Sequence, residues 1–349
     1  MKYLLYAEQN YAFAMLRPLQ QVIKERGGEA CWFLAGKEIT SNYLQKDEVV
    51  LSSVSSVQQW RPDVVLVPGN YISKFIPGIK VGIFHGFNIA KATRSDQRGH
   101  FNIRGCFDLY CTQGPATTTP FEQFSKEVRN FKVTETGWPA LDPLFQKPFP
   151  KATENKKTVL YCSTFTPELS SAPLLTETIE KLSKTMDWQW LVQFHPKMPK
   201  EIIEAYKKIQ GDHLTFIETD DVIPLLQRAD VMLCDTSSMI PMFLCQQKPV
   251  VTFRNQSRGE NQHLINVKET TEIQAAIEYA LKSPSELMDR IKAYTDQIHP
   301  YNDGNSSSRV LAAVDNFISS NKDLEKKPSN LLREFKERVK LNYWGSPFF

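Results

Sequence analysis

Residues 229–253 read ADVMLCDTSSMIPMFLCQQKPVVTF. The run DVMLC at 230–234 is short and apolar without alternation, which is the pattern of a strand covered on both faces. Asp235-Thr236-Ser237-Ser238 follow, and a helix fits 238–246. Lys248-Pro249 then leads into PVVTF at 249–253, a second buried strand. Strand, helix and strand in so short a stretch form a parallel β-α-β unit.

The same rhythm runs through the rest of the chain. Strands fit 2–6, 30–34, 63–67, 79–84, 107–112 and 131–136, and later 158–162, 189–194 and 214–218. A helix at 12–26 carries Phe13, Leu16, Leu19, Val22 and Ile23 at helical spacing and stops at Gly27-Gly28. Further helices fit 173–186, 200–209, 221–229 and 271–282, and the chain reads helical after 284 with a break at Asp303-Gly304. The rhythm pauses at 143–157, PLFQKPFPKATENKK, whose prolines and basic finish read as a linker. Two Rossmann-like halves follow, with a ligand expected in the cleft at the carboxyl ends of both sheets.

Hydrophobic residues are 41% and charged residues 23% of the 349, which excludes a wholly disordered chain. The balance of 42 basic and 39 acidic residues gives +3, too little to make nucleic acid the main partner. Residues 321–349 hold seven Lys/Arg and four Asp/Glu and so account for that charge. No stretch approaches the ~20 apolar residues of a membrane span. The strand-like start is unlike a signal peptide, so a cytoplasmic location is expected. The six cysteines lie in or beside apolar runs and read as reduced and buried; Cys106 and Cys111, spaced C-x4-C, have no second pair for a metal. In 331–343, Leu331, Phe335, Val339 and Tyr343 form an apolar stripe with Arg333, Lys336, Arg338 and Lys340 between them. That stripe fits a last helix packing across both domains. A sharper reading, compatible with it, is a basic amphipathic contact with anionic lipid, aided by Trp344, Phe348 and Phe349.

There is no G-x-G-x-x-G, Walker loop, H-E-x-x-H, nucleophile elbow or D-x-D, so function must come from strand ends. An apolar strand ends at Phe84, and His85-Gly86 follows where an α/β domain presents catalytic groups. A histidine there suits deprotonation of a hydroxyl near neutral pH, and Gly86 admits a close approach. Lys91, Arg94 and Arg98 follow, either to bind an anionic acceptor or as a solvated basic face. A second strand ends in His195-Pro196-Lys197, suited to a diphosphate. Asp235 to Ser238 open a helix as an anion site or as an ordinary cap. In 301–310, Asp303-Gly304 make a turn, with Ser307 and Arg309 as a cap or a second phosphate contact.

Taken in order, these segments resemble the CDP-glycerol glycerophosphotransferase family of teichoic-acid and capsule synthesis, over about residues 79–310. The family's His-Gly is His85-Gly86, and its TG-x-P-x-x-D is Thr136-Gly137-Trp138-Pro139-Ala140-Leu141-Asp142. Its VLYxPT is similar to Val159-Leu160-Tyr161-Cys162-Ser163-Thr164, and its His-Pro is His195-Pro196. Its D-Y-S-S with KP is similar to Asp235-Thr236-Ser237-Ser238 with Lys248-Pro249, and its DG-x-x-S-x-R to Asp303-Gly304 with Ser307 and Arg309. Thr166 stands where the family usually has an arginine, and Met242 where it usually has an acidic residue.

The resemblance implies a GT-B type α/β fold, two Rossmann-like domains facing a central cleft. It implies an acceptor-binding domain at 1–145, a linker at 146–157, a donor-binding domain at 158–315 and a helical tail at 316–349. It implies transfer of an alditol phosphate from a CDP-activated donor, CDP-glycerol or similar, to a saccharide or lipid-linked acceptor, with CMP released. With no D-x-D motif, no tightly bound metal is expected, and no cofactor is. His85 would be the general base, with His195 the second catalytic residue. Gly86, Thr164, Lys197, Asp235, Thr236, Ser237, Ser238, Asp303, Ser307 and Arg309 would bind donor; Lys91, Arg94 and Arg98 would bind acceptor. Two alternatives stay open: a glycosyltransferase of the same fold using a sugar nucleotide, and a non-catalytic surface-polysaccharide assembly protein, which Thr166 and Met242 favour.

Overall fold

The computed structural model describes residues 1–87, 101–146, 156–257, 261–320 and 324–345. The strands are β1 (Lys2–Gln9), β2 (Glu29–Glu38), β3 (Val64–Val67), β4 (Ile79–Gly82), β5 (Leu109–Thr112), β6 (Lys132–Glu135), β7 (Lys157–Ser163), β8 (Trp188–Phe194), β9 (Leu214–Phe216), β10 (Val231–Cys234), β11 (Val250–Phe253) and β12 (Ile265–Val267). The helices are α1 (Ala12–Glu25), α2 (Val54–Trp60), α3 (Pro115–Val128), α4 (Asp142–Gln146), α5 (Ala172–Thr185), α6 (Lys200–Lys208), α7 (Ile223–Arg228), α8 (Ile240–Leu244), α9 (Ile273–Leu281), α10 (Ser285–Ile298), α11 (Ser306–Ser319) and α12 (Leu331–Lys340).

The chain divides into two compact units. The first holds the described residues of 1–87, 98–143 and 303–349; the second is built on 144–302. In the first unit a parallel sheet runs β2-β1-β3-β4-β5-β6. Side chains alternate faces along each strand. Tyr3, Leu5, Val64, Leu66 and Val81 face α1, while Leu4, Tyr6, Val65 and Val67 face α2 and α3. Both faces are therefore dry, which is why VVLV is apolar throughout and all four residues of LYCT are buried.

Residues 303–315 were expected in the donor domain, by their place in the sequence. The structure packs them into the first unit instead. Val310, Leu311, Val314 and Phe317 of α11 join the same apolar cluster as Phe13, Leu16, Leu19 and Ile23 of α1. At ~1.5–3 kcal/mol per buried side chain, those four contribute roughly 6–12 kcal/mol of gross transfer free energy. Asp142 completes the seat: its carboxylate accepts from the backbone N–H of Ser306 (2.8 Å) and Ser307 (2.7 Å), capping α11.

α12 also belongs to the first unit, and it is held there by its polar face. Glu334 accepts from the Tyr71 hydroxyl (2.7 Å) and the Lys74 N–H (3.2 Å), and Lys340 pairs with Glu8. The Arg338 guanidinium lies 5.1 Å over Phe75. The apolar stripe points outward: Leu331 and Leu332 are 78% exposed, Phe335 57% and Val339 56%. Only Tyr343 of the expected stripe is buried, with its hydroxyl donating to Gln58 (2.8 Å).

The second unit repeats the plan with strand order β12-β11-β10-β7-β8-β9, all parallel. Its core joins Val159 and Tyr161 of β7, Trp190 and Val192 of β8, Leu175 and Ile179 of α5, and Ile273 and Ile277 of α9.

Candidate active site

In a doubly wound sheet the loops leaving two adjacent strands diverge where the strand order reverses, and ligands bind outside the carboxyl ends there. That point falls between β1 and β3 in the first unit and between β7 and β10 in the second.

His85 follows β4 at the carboxyl edge of the first sheet. Its imidazole hydrogen-bonds to the carbonyl of Pro68, just after β3, and its ring lies 5.7 Å from that of Tyr11, just after β1. Loops from both sides of the reversal thus meet this histidine. Burial lowers its pKa; the Pro68 carbonyl works against that, and the Arg104 cation works with it. The ring is therefore neutral near pH 7. A neutral imidazole that gives one N–H to a carbonyl can take up a proton at its other nitrogen. Gly86 lies beside it, with its carbonyl accepting from Gln113 Nε2 (3.0 Å). Lys91, Arg94 and Arg98 lie outside the described residues.

In the second unit, Asp235 leaves β10 fully buried. Its carboxylate accepts from Ser163 Oγ (2.6 Å), Thr164 N–H (3.0 Å), Ser171 N–H (2.9 Å) and Ser171 Oγ (2.9 Å). Burial raises its pKa and these hydrogen bonds pull it back. The carboxylate is thus engaged by the chain itself. It ties the end of β10 to the loop after β7 and to the start of α5. Thr236 Oγ1 accepts from the Gln256 N–H (3.0 Å), and Asn255 Nδ2 donates to the Asp235 carbonyl (3.2 Å). Ser237 Oγ accepts from the Met239 N–H (3.2 Å), and Ser238 is exposed. The helix expected at 238–246 is the five-residue α8: Pro241 lies in its first turn, where a missing N–H costs nothing, and the turns after Leu244 end at Gln247, whose φ is 56°.

His195 leaves β8 and accepts at Nδ1 from the Lys197 N–H (3.0 Å). A lone pair at Nδ1 places the proton of the neutral ring on Nε2, which presents a donor. Burial and then the Lys197 charge lower its pKa, against Asp220. Phe165, in the loop that begins at Thr164, lies against the His195 ring at 4.5 Å, and Lys197 Nζ sits 5.9 Å from the centre of the Phe165 ring. Lys248 caps α7: its Nζ donates to the carbonyls of Leu226 (3.0 Å) and Gln227 (2.7 Å).

Thr164, His195, Lys197, Asp235, Thr236, Ser237 and Ser238 therefore share the carboxyl edge of the second sheet. Asp303, Ser307 and Arg309, expected with them, belong to the first unit, where Arg309 pairs with Asp303. Sequence reading missed Ser163, Phe165, Ser171 and Asn255 in the second unit and Gln113 in the first. Ser163 lay in the quoted VLYxPT segment and Gln113 follows the strand LYCT; the other three sit in irregular loops with no periodic signal. Among the described residues no cluster of three or more His, Cys, Asp or Glu could hold a metal ion.

Comparison with known proteins bears on the family and the fold. The chain is 24% identical over 255 residues to the teichoic acid glycerol-phosphate primase of Bacillus subtilis (strain 168), covering 65% of this chain and 62% of that protein's length. The wall teichoic acid polymerase TagF superposes with a TM-score of 0.65 at 12% identity, covering 92% of this chain and 90% of the other. The S. aureus MnaA–UDP structure does so with 0.61 at 17% identity, covering 95% and 99%. These two likenesses show the fold. The family model described as CDP-glycerol:poly(glycerophosphate) glycerophosphotransferase matches residues 107–316, and the chain belongs to that family.

Proposed function

We propose that this protein transfers glycerol phosphate from CDP-glycerol to a hydroxyl of a saccharide or lipid-linked acceptor in cell-surface polymer synthesis, releasing CMP. The observation that carries the reading is His85: a half-buried, neutral imidazole backed by the Pro68 carbonyl, beside the strand reversal of a family member. A TagF structure soaked with CDPG supports the donor.

In this reading the first unit engages the acceptor and the second the donor. His85 takes the proton of the acceptor hydroxyl as its oxygen attacks the glycerol-bearing phosphorus. A new P–O bond forms, the bridging P–O bond breaks, and the electron pair leaves on CMP. The proton stays on His85 until it passes to solvent. The Nε2–H of His195, the Lys197 ammonium and the hydroxyls of Thr164, Thr236, Ser237 and Ser238 stabilise negative charge on the diphosphate and on the leaving phosphate. Asp235 serves by fixing the loop that presents Thr164, and Asp303, Ser307 and Arg309 by building the turn into α11. A second reading is transfer of a sugar from a sugar nucleotide, which the same fold would serve.

Mass spectrometry of the acceptor separates the two. Purified protein is given CDP-glycerol, CDP-ribitol and UDP-sugars with a lipid-linked saccharide. An acceptor heavier by glycerol phosphate supports the proposal. An acceptor heavier by a sugar, with a nucleoside diphosphate released, overturns it.

We also propose that α12 rests on an anionic membrane surface. Among the described residues no helix is long and apolar enough to cross a membrane. Leu331, Leu332, Phe335, Val339 and Trp344 are exposed together beside Lys336 and Lys340, the composition of a helix lying in a lipid interface. Leu331, Phe335 and Val339 all changed to Ser should abolish co-sedimentation with phosphatidylglycerol vesicles and leave the fold intact. Unchanged sedimentation would contradict it.

A further inference from the structure

The turn that carries His85 is unusual in its backbone. Phe84 has φ 59°, in the left-handed region that a bulky residue avoids, and it is buried with its ring edge-on to Phe121 of α3 at 5.1 Å. Such a conformation persists only where neighbours over-determine it. Two buried side chains do so here. The indole N–H of Trp138 donates to the Phe84 carbonyl (3.3 Å), and Gln113 Nε2 donates to the Gly86 carbonyl (3.0 Å). These are the carbonyls on either side of His85. Trp138 also meets the Phe87 ring edge-on at 5.1 Å.

We infer that Gln113 and Trp138 are positioning residues for His85, two hydrogen-bond clamps that fix where its imidazole sits. The inference rests on the reading of His85 as the general base. Both donors come from rigid places. Gln113 is 0% exposed and follows Thr112, the last residue of β5, whose register is set by β4 and β6. Trp138 is 4% exposed and follows Gly137, whose φ of 79° turns the chain after β6. The end of β4 is thus braced from the two strands beyond it. Neither side chain touches the imidazole by these bonds; each acts through the main chain next to it.

The experiment uses the full chain with Trp138→Phe, which keeps an aromatic ring and removes the N–H, and Gln113→Glu, which keeps the shape and replaces the donor by an acceptor. A shift of a base by about 1 Å costs on the order of 100-fold in rate. Each variant should lower kcat by roughly 10- to 100-fold while its Kd for CDP-glycerol stays within a factor of two. The titration of His85, followed by NMR, should move up towards ~6.5 as the turn loosens, with that of His195 unmoved. In a His85→Ala background the same substitutions should cause no further loss. Wild-type kcat in both variants, or a His85 titration unmoved in both, overturns the clamp. So does an equal loss in the His85→Ala background, which would mark a merely structural role. Wild-type turnover by His85→Ala alone would instead overturn the reading of His85 as base, and the clamp's purpose with it.

Discussion

Replacing Asp235 by Ala separates two roles, a donor ligand and a fastener inside the second unit. The structure favours the fastener, and the cost can be built up from its four hydrogen bonds. The Ser163 and Ser171 hydroxyls keep other partners, Ser170 Oγ at 3.0 Å and the Tyr161 hydroxyl at 2.9 Å. Thr164 is half-buried, so water reaches its N–H. Ser171 is 2% exposed, and its N–H is left orphaned. One buried orphan costs about 1–3 kcal/mol, and each lost bond about 0.5–1.5 kcal/mol. Relief of the buried carboxylate's desolvation offsets part of this. A net loss of about 2–4 kcal/mol follows, equivalent to a fall in Tm of about 5–15 °C for a unit of this size. Calorimetry measures the unfolding, and titration with CDP-glycerol measures donor affinity. Asp235→Asn, which keeps one acceptor oxygen, should fall between wild type and Ala. An Asp235→Ala protein that unfolds within about 1 °C of wild type yet binds donor about 100-fold more weakly would show the carboxylate to be a ligand and the fastener reasoning to be mistaken.

Three further outcomes are expected. Asp142→Ala removes the cap from α11 and should lower the unfolding free energy of the first unit, read from urea titration, by about 1–2 kcal/mol. Turnover requires neutral His85, whose pKa burial holds below the usual histidine value; the acid limb of kcat/KM should therefore have its midpoint below ~6.5, and a midpoint above ~7 would contradict the environment described. His263 stacks on Tyr294 at 3.7 Å, and burial lowers its pKa to about 4. The unfolded chain binds that proton already near ~6.5, so the stability it contributes is complete above ~6.5 and is lost as pH falls towards ~4, by roughly 1–2 kcal/mol given its partial exposure. His263→Phe should flatten urea-unfolding stability across that window.

Much of the fold was legible because parallel strands buried on both faces leave unbroken apolar runs, and runs so short and so apolar fit little else. VVLV, VMLC and VVTF all lie within β-strands. β12 escaped because INV is an edge strand with only Val267 buried. The place of 303–315 escaped for a different reason. Which sheet a helix covers is decided by the face left bare elsewhere, and Val310 and Leu311 carry no mark of whether that face is β1's or β7's. The helix α12 shows the limit of periodicity. Leu331, Phe335 and Val339 announce an amphipathic helix, but Glu334, Arg338 and Lys340 find partners on Tyr71, Phe75 and Glu8, and those pairings turn the stripe outward. In the site, histidines at strand ends could be read from position alone. Asp235 could not, since its role depends on Ser163 and Ser171, far away in sequence and adjacent only after β7 and β10 pair.

Single-turnover release of CMP from CDP-glycerol, in the presence of a lipid-linked saccharide, bears most directly on the proposed chemistry. Wild-type protein should release one CMP for each glycerol phosphate gained by the acceptor. His85→Ala should bind CDP-glycerol with unchanged affinity and release CMP about 100-fold more slowly or worse, the order expected of a lost general base. CMP release by His85→Ala at the wild-type rate, or a nucleoside diphosphate as the wild-type product, would contradict it.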